Sequence, residues 1–329
     1  MRKHKKFILV TGGAGYIGSH MTRLLEAEGH LPLVFDNLST GNRRFVSKGV
    51  PFIKGDLCRP KDIEKLFQLY DIQAVINFAG SIVVPESVVD PLKYYYNNIY
   101  GMVNLLEVMR KHKVNKIIFS STAAVYGNAK KIPITEQEPL APSNPYARTK
   151  LMIEQILEDA RTAYGLNYVV LRYFNVAGSH PLADIGINLT KPTHLVPNVM
   201  KVASGRKPYL EVFGNDYETA DGTCIRDYIY VMDLCRAHLD ALKALEKGLG
   251  SDTFNLGCGS GFSVNQVVDQ ARKLTGKPIK VVMRARRKGD VPALVASSRK
   301  AWRVLKWKPQ ASLKQILSTA WDWENSRVS

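Results

Sequence analysis

The chain has 329 residues, which is long enough for two domains or for one large α/β domain with an added lobe. Its 45% hydrophobic content is ordinary for a globular protein, and no run approaches the roughly 18 uncharged apolar residues of a membrane span. The net charge is +17, but Lys and Arg are spread in short clusters. That distribution favours solvated surfaces and anionic small molecules, and it leaves RNA binding as a remote alternative.

The apolar run Phe7–Val10 behind the basic start is too short for a signal peptide and reads as a first strand. The four cysteines show no paired CxxC spacing, so we expect reduced thiols, no metal centre and a cytoplasmic protein.

Short β-branched runs then alternate with longer segments of helical period, which predicts βαβ units around a parallel sheet. The predicted strands are Phe7–Val10, Leu33–Phe35, Phe52–Lys54, Ala74–Phe78, Lys116–Ser120 and Tyr168–Arg172. The predicted helices are Tyr16–Glu28, Lys61–Gln68, Pro91–Lys113 and Pro145–Tyr164. The last has clear boundaries, because Asn144 suits the N-cap, Pro145 the first helical position and Gly165 a left-handed stop.

Beyond Arg172 the alternation loosens. We expect a loop over Asn175–Pro197 and a capping box at the helix that starts at Ser263. The remaining predicted elements are helices at Pro197–Ser204 and Val231–Lys247 and a strand at Thr253–Leu256. The fold class is therefore α/β, a Rossmann-like doubly wound parallel sheet with a smaller C-terminal α/β lobe. The predicted domains are 1–175, to which segments around 225–260 return, and 176–329.

Gly12, Gly15 and Gly18 lie between the first predicted strand and helix, in the spacing GxxGxxG. Without Cβ atoms, they permit a tight turn, a close approach of main chain to phosphate, and packing of helix on strand. The phosphates would lie at the helix N-terminus, where the amides around Tyr16 and Ile17 have no helical partner. A tight turn that binds nothing is the alternative.

Asp36 ends the second predicted strand, 18 residues beyond Gly18. A carboxylate there accepts hydrogen bonds from both ribose hydroxyls and repels a 2′-phosphate, which favours NAD over NADP. Asn37 follows it, and Asp56 with Leu57 would lie beside adenine. For Asp56, a carboxylate at a helix N-terminus is the alternative.

Tyr146 and Lys150 are spaced i and i+4, so both project from one helix face. Lowering a tyrosine pKa by about three units requires roughly 4 kcal/mol, which one ammonium at about 4 Å supplies in a partly polar interior. We therefore expect Tyr146 to act as the base and Lys150 to hold its phenolate. Thr122, at the end of the fifth predicted strand, would form a hydrogen bond with the reacting hydroxyl. The alternative is that the Thr122 hydroxyl only bonds to nearby backbone at the strand end.

At this point the chain resembles the extended short-chain dehydrogenase/reductase family, and in particular its members that act on nucleotide sugars. The resemblance covers nearly the whole length. It rests on Thr11–Gly18, Asp36-Asn37-Leu38, Phe78-Ala79-Gly80, Pro91–Tyr95 with Asn97-Asn98, Phe119–Gly127, Tyr146–Lys150, Leu171–Asn175, Phe213–Tyr217, Asp221-Gly222-Thr223, Arg226–Ile229, Phe254–Gly257 and Arg286–Pro292.

The resemblance implies a tightly held NAD and inversion at C4 of a UDP-hexose through a 4-keto sugar. Tyr146 would take the proton of the 4-hydroxyl, and domain 1–175 would bind NAD while 176–329 binds the UDP-sugar. Further cofactor contacts would come from Phe78, Ala79, Gly80, Asn97 and Phe174. Substrate contacts would come from Thr122, Asn175, Leu195, Phe213, Arg226, Arg287, Asp290 and Leu294, the two arginines clamping the diphosphate.

Several alternatives stay open. Ala123 and Ala124 stand where related dehydratases carry an Asp-Glu pair, which disfavours sugar dehydration. Leu294 occupies a position that resembles the hexose gate, where some members carry a larger tyrosine, so the resemblance implies partial tolerance of UDP-GlcNAc or UDP-GalNAc. UDP-pentoses, UDP-uronic acids and a non-catalytic NAD- or RNA-binding relative also remain. The resemblance further implies a homodimer through helices Pro91–Lys113 and Pro145–Tyr164, with neither nucleic acid nor membrane as a partner.

Overall fold

The computed structural model describes residues 5–188, 193–287 and 290–327. The chain divides into two compact units. Unit 1 comprises Met1–Gly127, Leu140–Arg172 and Cys235–Phe254, and unit 2 comprises Asn128–Pro139, Tyr173–Leu234 and Asn255–Ser329. The sequence-based domain boundary near residue 175 stays a prediction beside this division.

The strands, in chain order, are β1 Phe7–Thr11, β2 Pro32–Asp36, β3 Phe52–Lys54, β4 Ile72–Asn77, β5 Lys116–Thr122, β6 Asn167–Tyr173, β7 Asn175–Ala177, β8 Leu210–Phe213, β9 Ile225–Tyr230, β10 Asp252–Leu256, β11 Gly261–Ser263, β12 Val281–Arg284 and β13 Ala293–Leu294. The helices are α1 Tyr16–Ala27, α2 Pro60–Leu69, α3 Val84–Val89, α4 Pro91–Tyr94, α5 Gly101–Lys111, α6 Pro145–Tyr164, α7 Leu195–Ala203, α8 Val231–Glu246, α9 Val264–Thr275, α10 Arg299–Leu305 and α11 Leu313–Ser326. Short 3₁₀ turns span Arg43–Phe45 and Ala123–Tyr126, and a π-helical turn spans Tyr95–Tyr100.

A seven-stranded sheet has the order β3-β2-β1-β4-β5-β6-β10. The pairs whose registers are described, β3 with β2, β2 with β1, β1 with β4 and β4 with β5, are parallel. This is the strand order of a doubly wound dinucleotide-binding fold, in which ligands lie beyond the carboxyl ends of the strands. The predicted fold class is confirmed.

The central strands of this sheet are built mostly from apolar residues, as expected where helices cover both faces. One large cluster of buried side chains includes Leu9, Val75 and Phe119, and a smaller one joins Ala14 with Val34. The core therefore fixes the ends of β1, β4 and β5, from which the glycine turn and Thr122 extend.

Unit 2 contains two small sheets. In the first, β9 pairs with β7 and β13 in parallel and with β11 in antiparallel orientation. In the second, β8 pairs in parallel with β12. Asp227, in the middle of β9, is fully buried and accepts hydrogen bonds from the backbone amides of Cys258, Gly259 and Ala296. Its carboxylate thus ties three segments of the unit together.

Two sequence predictions are corrected. The predicted helix Pro91–Lys113 consists of α4, a π-helical turn and α5, and it ends at Lys111. A hydrophobic period does not distinguish one i→i+5 turn inside a long helical segment. The predicted loop Asn175–Pro197 contains β7 and the start of α7, because β7 is stabilised by its distant partner β9. Among the described residues, every helix is too short or too polar to cross a bilayer.

Candidate active site

The glycine turn joins β1 to α1 in a geometry that side chains would block. Gly12 has φ +68°, and a Cβ built on it would lie 2.7 Å from the Ala79 backbone nitrogen. A Cβ on Gly18 would lie 2.2 Å from the Gly12 carbonyl oxygen. Among the described residues, the only atom within 4 Å of a Cβ on Gly15 is that same oxygen, at 3.2 Å. Gly12 and Gly18 therefore allow close packing, whereas Gly15 leaves bare main chain on the open side of the turn.

The N-terminus of α1 fits a pyrophosphate. No side chain caps the helix at Gly15, and its first turn carries no acidic residue. The backbone amides of the first turn of α1, which begins at Tyr16 and Ile17, together with the helix dipole, favour an anion at that end. Tyr16 also anchors the turn, because its carbonyl oxygen lies 2.7 Å from His20 Nδ1. The residues present therefore suit the phosphates of a dinucleotide.

Asp36 is buried at the end of β2 and is already engaged by the backbone. Its Oδ2 accepts from the Ala14 amide at 2.9 Å and its Oδ1 from the Leu38 amide at 2.7 Å. A carboxylate has about four lone-pair sites, so about two are left for ribose hydroxyls. Asp36 thus shapes the glycine turn as well as presenting acceptor capacity.

Asn37 and Asp56 form a polar pair next to this carboxylate. Asn37 Nδ2 donates to Asp56 Oδ2 at 3.0 Å, and Asp56 Oδ1 accepts from the Cys58 amide at 2.8 Å. Leu57 lies between Asp56 and Cys58 in sequence, and its carbonyl oxygen accepts from Asn104 Nδ2 at 2.9 Å. The structure therefore brings Asn37 and Asp56 together, and it holds the main chain at Leu57.

The segment after β4 connects the glycine turn to Lys150. Phe78 and Ala79 pack against Gly12, and the Phe78 ring lies 4.8 Å from the His238 ring. A Cβ built on Gly80, which has φ +157°, would lie 3.8 Å from Lys150 Nζ. The π-helical turn presents Asn97, whose Nδ2 donates to Ser81 Oγ at 3.1 Å. These predicted cofactor residues thus form one continuous surface within unit 1.

Thr122, Tyr146 and Lys150 meet at the carboxyl end of β5. Tyr146 is 9% exposed and forms a side-chain hydrogen bond with Thr122. Thr122 Oγ1 also accepts from the Ala124 amide at 3.2 Å. Lys150 is 3% exposed and donates from Nζ to the Ser120 carbonyl oxygen at 2.9 Å. The arrangement places a phenol, a hydroxyl and an ammonium in one buried group.

The electrostatics of this group differ from the sequence-based expectation. Burial raises the pKa of Tyr146 to about 12. The hydrogen bond from Thr122 has the opposite, smaller effect on this pKa. Burial also lowers the pKa of Lys150 to about 8. The nearby negative charge of Glu154 acts in the opposite direction and raises this pKa. The expectation that one ammonium lowers the Tyr146 pKa to near neutrality is therefore wrong for the chain alone. Desolvation is the largest influence on the pKa of Tyr146, since removing a group from water disfavours its charged form.

A buried ion pair next to this group was missed by the sequence reasoning. Glu154 accepts from Ser121 Oγ at 2.5 Å and from Arg172 Nε and Nη2, and Arg172 Nη1 donates to the Tyr126 hydroxyl at 2.9 Å. Glu154 stands four residues after Lys150, so the spacing of Tyr146, Lys150 and Glu154 was a signal available in the sequence.

Unit 2 brings together five of the predicted substrate residues: Phe213, Arg226, Arg287, Asp290 and Leu294. Arg287 Nε donates to Asp290 Oδ2 at 3.0 Å, and its guanidinium lies 4.6 Å from the centre of the Phe213 ring. Arg226 Nη2 lies 3.7 Å from Asp290 Oδ1, and β13 places Leu294 opposite Arg226. Two guanidinium groups beside one carboxylate leave a net positive charge next to an aromatic ring, which suits a diphosphate carrying a flat base.

Part of this cluster is structural. Arg226 Nη1 donates to the carbonyl oxygens of Ile225 and Val291, so half of the guanidinium holds β13 in place. Of the other predicted residues of unit 2, Asn175 begins β7 and pairs with Tyr228 on β9. Leu195 is the first residue of α7. Phe174 is buried, and its backbone amide donates to the carbonyl oxygen of Leu256.

The fold and unit 1 define a class of protein: a dinucleotide-binding oxidoreductase-type fold of the short-chain dehydrogenase kind, with a Thr, Tyr and Lys group at the carboxyl end of β5. The model of the NAD dependent epimerase/dehydratase family matches residues 8–257. The chain belongs to that family.

Individual relatives are similar over nearly the full length. The UDP-glucose 4-epimerase of Lacticaseibacillus casei is 46% identical over 320 residues, which are 97% of this chain and 97% of the relative. A crystal structure of a UDP-glucose 4-epimerase matches with TM-score 0.96 at 46% identity, covering 98% of each chain. The UDP-glucose 4-epimerase of Bifidobacterium longum, in complex with NAD+ and UDP, matches with TM-score 0.93 at 38% identity, covering 98% of this chain and 99% of that one.

Proposed function

We propose that the chain inverts C4 of a UDP-hexose with NAD as cofactor, interconverting UDP-glucose and UDP-galactose. The observation that carries the proposal is the buried group of Thr122, Tyr146 and Lys150 at the end of β5, in the same unit as the glycine turn. The proposal is supported by relatives of that activity that match nearly the whole chain, one of them crystallised with NAD+ and UDP.

Bound NAD would supply a hydride acceptor and, when oxidised, a positive ring. The chain's own residues handle the proton. Tyr146 would accept the proton of the 4-hydroxyl at its phenol oxygen, Thr122 would orient that hydroxyl, and Lys150 would provide the nearby positive charge. Because burial raises the Tyr146 pKa to about 12, these residues alone keep it a phenol at neutral pH, and an additional cation is needed to make it a base.

The site assignment is part of the proposal. Asp36 would bind the adenosine ribose, and the glycine turn with the segment after β4 would hold the rest of the cofactor. The cluster around Arg226, Arg287 and Asp290 would anchor the diphosphate and uridine. Firm anchorage there and few fixed contacts to the hexose would let a 4-keto sugar present either face, which inversion requires.

A direct experiment is conversion of UDP-glucose to UDP-galactose by the purified protein, followed by NMR. Tyr146→Phe removes the proton acceptor and should reduce turnover by about 10²–10⁴-fold. Tyr164→Phe, on the same helix but 38% exposed, is the matched control and should keep full turnover. Full turnover by Tyr146→Phe would refute the proposed mechanism, and an absence of any turnover by the parent, with salt-sensitive RNA retention, would favour the binding alternative.

Tolerance of N-acetylhexosamines is a second candidate activity that Leu294 supports. Leu294 is partly buried and pairs in register with Arg226, so it borders the predicted diphosphate anchor. A larger side chain there would restrict the space beside the sugar. Side-by-side NMR assays of UDP-glucose, UDP-GlcNAc and UDP-xylose test this, and turnover of UDP-glucose alone would reject it. UDP-uronic acids belong in the same series.

We also propose a homodimer through α4–α5 and α6. Leu92, Tyr96 and Tyr100, spaced four residues apart, are 76%, 60% and 40% exposed, and Met152 on α6 is 41% exposed. The same helices, α5 and α6, also line a groove of about 300 Å³. Exposed apolar side chains grouped on neighbouring helices suit a self-complementary contact. A monomeric mass by light scattering would refute it; the cytoplasmic location stays a prediction.

A further inference from the structure

The buried ion pair beside the catalytic group has no part in the mechanism described above. Helix α6 carries Tyr146, Lys150 and Glu154 on one face, because residues four apart lie one above the other. All three are less than a tenth exposed. Glu154 is therefore a buried carboxylate one helical turn from the buried ammonium of Lys150.

Glu154 is fully satisfied by its partners. Arg172 donates to both carboxylate oxygens from Nε, at 3.1 Å each, and again from Nη2. Ser121 Oγ donates to Oε1 at 2.5 Å. Since Arg172 is buried beside it and also bonds Tyr126, the carboxylate is held in a fixed orientation.

This pair acts on the catalytic group by two routes. Ser121 directly precedes Thr122 on β5, so the bond from Ser121 to Glu154 fixes the strand end that presents the Thr122 hydroxyl. The second route is charge: a negative charge one turn away favours the ammonium of Lys150 in an interior that otherwise disfavours it. A buried ion pair adds little stability compared with apolar side chains of similar size, so stability does not by itself account for it.

We propose that Glu154 is a positioning residue: its carboxylate fixes the end of β5 through Ser121 and keeps Lys150 charged one helical turn from Tyr146. The proposal deepens the proposed function and rests on it for its kinetic consequences. Among the described residues, the ionisable side chains linked to Lys150 through its neighbours Tyr146, Glu154 and Ser120 include Tyr94 with its partner Glu86, Arg172 with its partner Tyr126, Tyr168 and His238.

The test compares Glu154→Gln with Glu158→Gln. Glu158 lies one turn further along α6, also bonds an arginine and a tyrosine, but is 47% exposed. The Lys150 signal is followed by NMR of the purified protein carrying ¹³C-labelled lysine, assigned through its loss in Lys150→Met. We expect Glu154→Gln to lower the Lys150 pKa by about one pH unit and Glu158→Gln to leave it unchanged.

The same variants are assayed for UDP-glucose turnover against pH. Removing a negative charge beside the coupled Tyr146 and Lys150 pair makes both proton losses easier, so both limbs of the kcat profile should move to lower pH by about one unit. KM should not change, because Glu154 does not contact the predicted substrate residues. A purely structural role would lower kcat at every pH without moving the profile.

Two more variants keep the test decisive if Glu154→Gln does not fold. The double variant Glu154→Leu with Arg172→Met replaces the pair by apolar side chains and should lower the Lys150 pKa by less than Glu154→Gln does, because the Arg172 cation is removed together with the Glu154 anion. Ser121→Ala keeps the charge and should lower kcat several-fold without moving the profile. Unchanged titration of Lys150 in the folded Glu154 variants would overturn the inference. Failure of the parent to convert UDP-glucose would instead overturn the proposed function, while the NMR titration would still decide this one.

Discussion

Two cations of the proposed site, Lys150 in unit 1 and Arg287 in unit 2, lie in opposite environments. In unit 1, Lys150 is 3% exposed and its hydrogen bond runs to the backbone of β5. In unit 2, the Arg287 side chain is 48% exposed and its bond runs to another side chain, Asp290. The chemistry of unit 1 is thus fixed by the core, whereas Arg287 of unit 2 is held by the carboxylate of Asp290.

This difference matches what each unit is proposed to do. A proton acceptor has to stay at one position, and a desolvated site makes each nearby charge count for more. A substrate that enters and leaves has to be bound by groups that can exchange partners, and Arg287 can exchange Asp290 for phosphate oxygens. Substitutions in unit 1 are therefore expected to reduce kcat, and substitutions in unit 2 to weaken substrate binding.

The largest effect is expected for Lys150→Met. Loss of the ammonium removes the positive charge beside Tyr146, so kcat should fall by about 10²–10⁴-fold while KM for UDP-glucose changes little. Steady-state kinetics on the purified variant measure both. Lys243→Met, which removes an exposed lysine bound to Glu28, is the control and should be indistinguishable from the parent. A Lys150→Met protein with near-parental kcat would show that the chemistry does not depend on the buried cation of unit 1.

The second prediction concerns stability against pH. Burial lowers the pKa of Lys150 to about 8 in the folded chain, so the unfolded chain binds more protons between about pH 8 and 10.5. Stability from this group is therefore fully present above pH 10.5 and is lost as the pH falls through about 8. Relative to Lys150→Met, the parent should gain about 2–3 kcal/mol of unfolding free energy between pH 7.5 and 10. Urea unfolding at both pH values measures it, and parallel changes in the two proteins would contradict it.

In unit 2, Arg287→Ala should act on binding. A charge-assisted hydrogen bond contributes about 1.5–3 kcal/mol, so KM for UDP-glucose should rise by roughly 10- to 100-fold with kcat close to the parental value. Arg284→Ala is the control, because Arg284 belongs to the same segment but pairs with Glu211. Equal effects of the two substitutions would mean that general positive charge, not a specific clamp, holds the substrate.

The sequence was most informative where local rules act. The bounds of β3 and α6 agree with the predictions to the residue, Gly165 closes α6 in the left-handed conformation, and the capping box at Ser263 is present. The two ends of α6 and the capping box depend on residues within one helical turn of each other, and such interactions can be predicted from spacing.

Distant partners were beyond that kind of reasoning. Strand β9 is held by β7, β11 and β13, and the three amides that bond Asp227 come from residues 31 to 69 positions away. The ion pair of Glu154 with Arg172 joins a helix to a strand, and only the fold decides that both are buried. The effect of burial on the pKa of Tyr146 likewise depends on how deeply the site is buried. The spacing of Tyr146 and Lys150 gives no information about that depth.

The smallest effect distinguishes the units through two helix caps. Asn144 Oδ1 accepts from the Ala147 amide at the start of α6, and Ser312 caps α11 in the same way through Gln315. Replacing either by Ala should cost about 1 kcal/mol of unfolding free energy. Only Asn144→Ala should also lower kcat, by a few-fold, because the first turn of α6 carries Tyr146 and a frayed turn lets the phenol move. If Ser312→Ala lowers kcat equally, activity follows overall stability, and the separation of fixed chemistry from exchangeable binding does not hold.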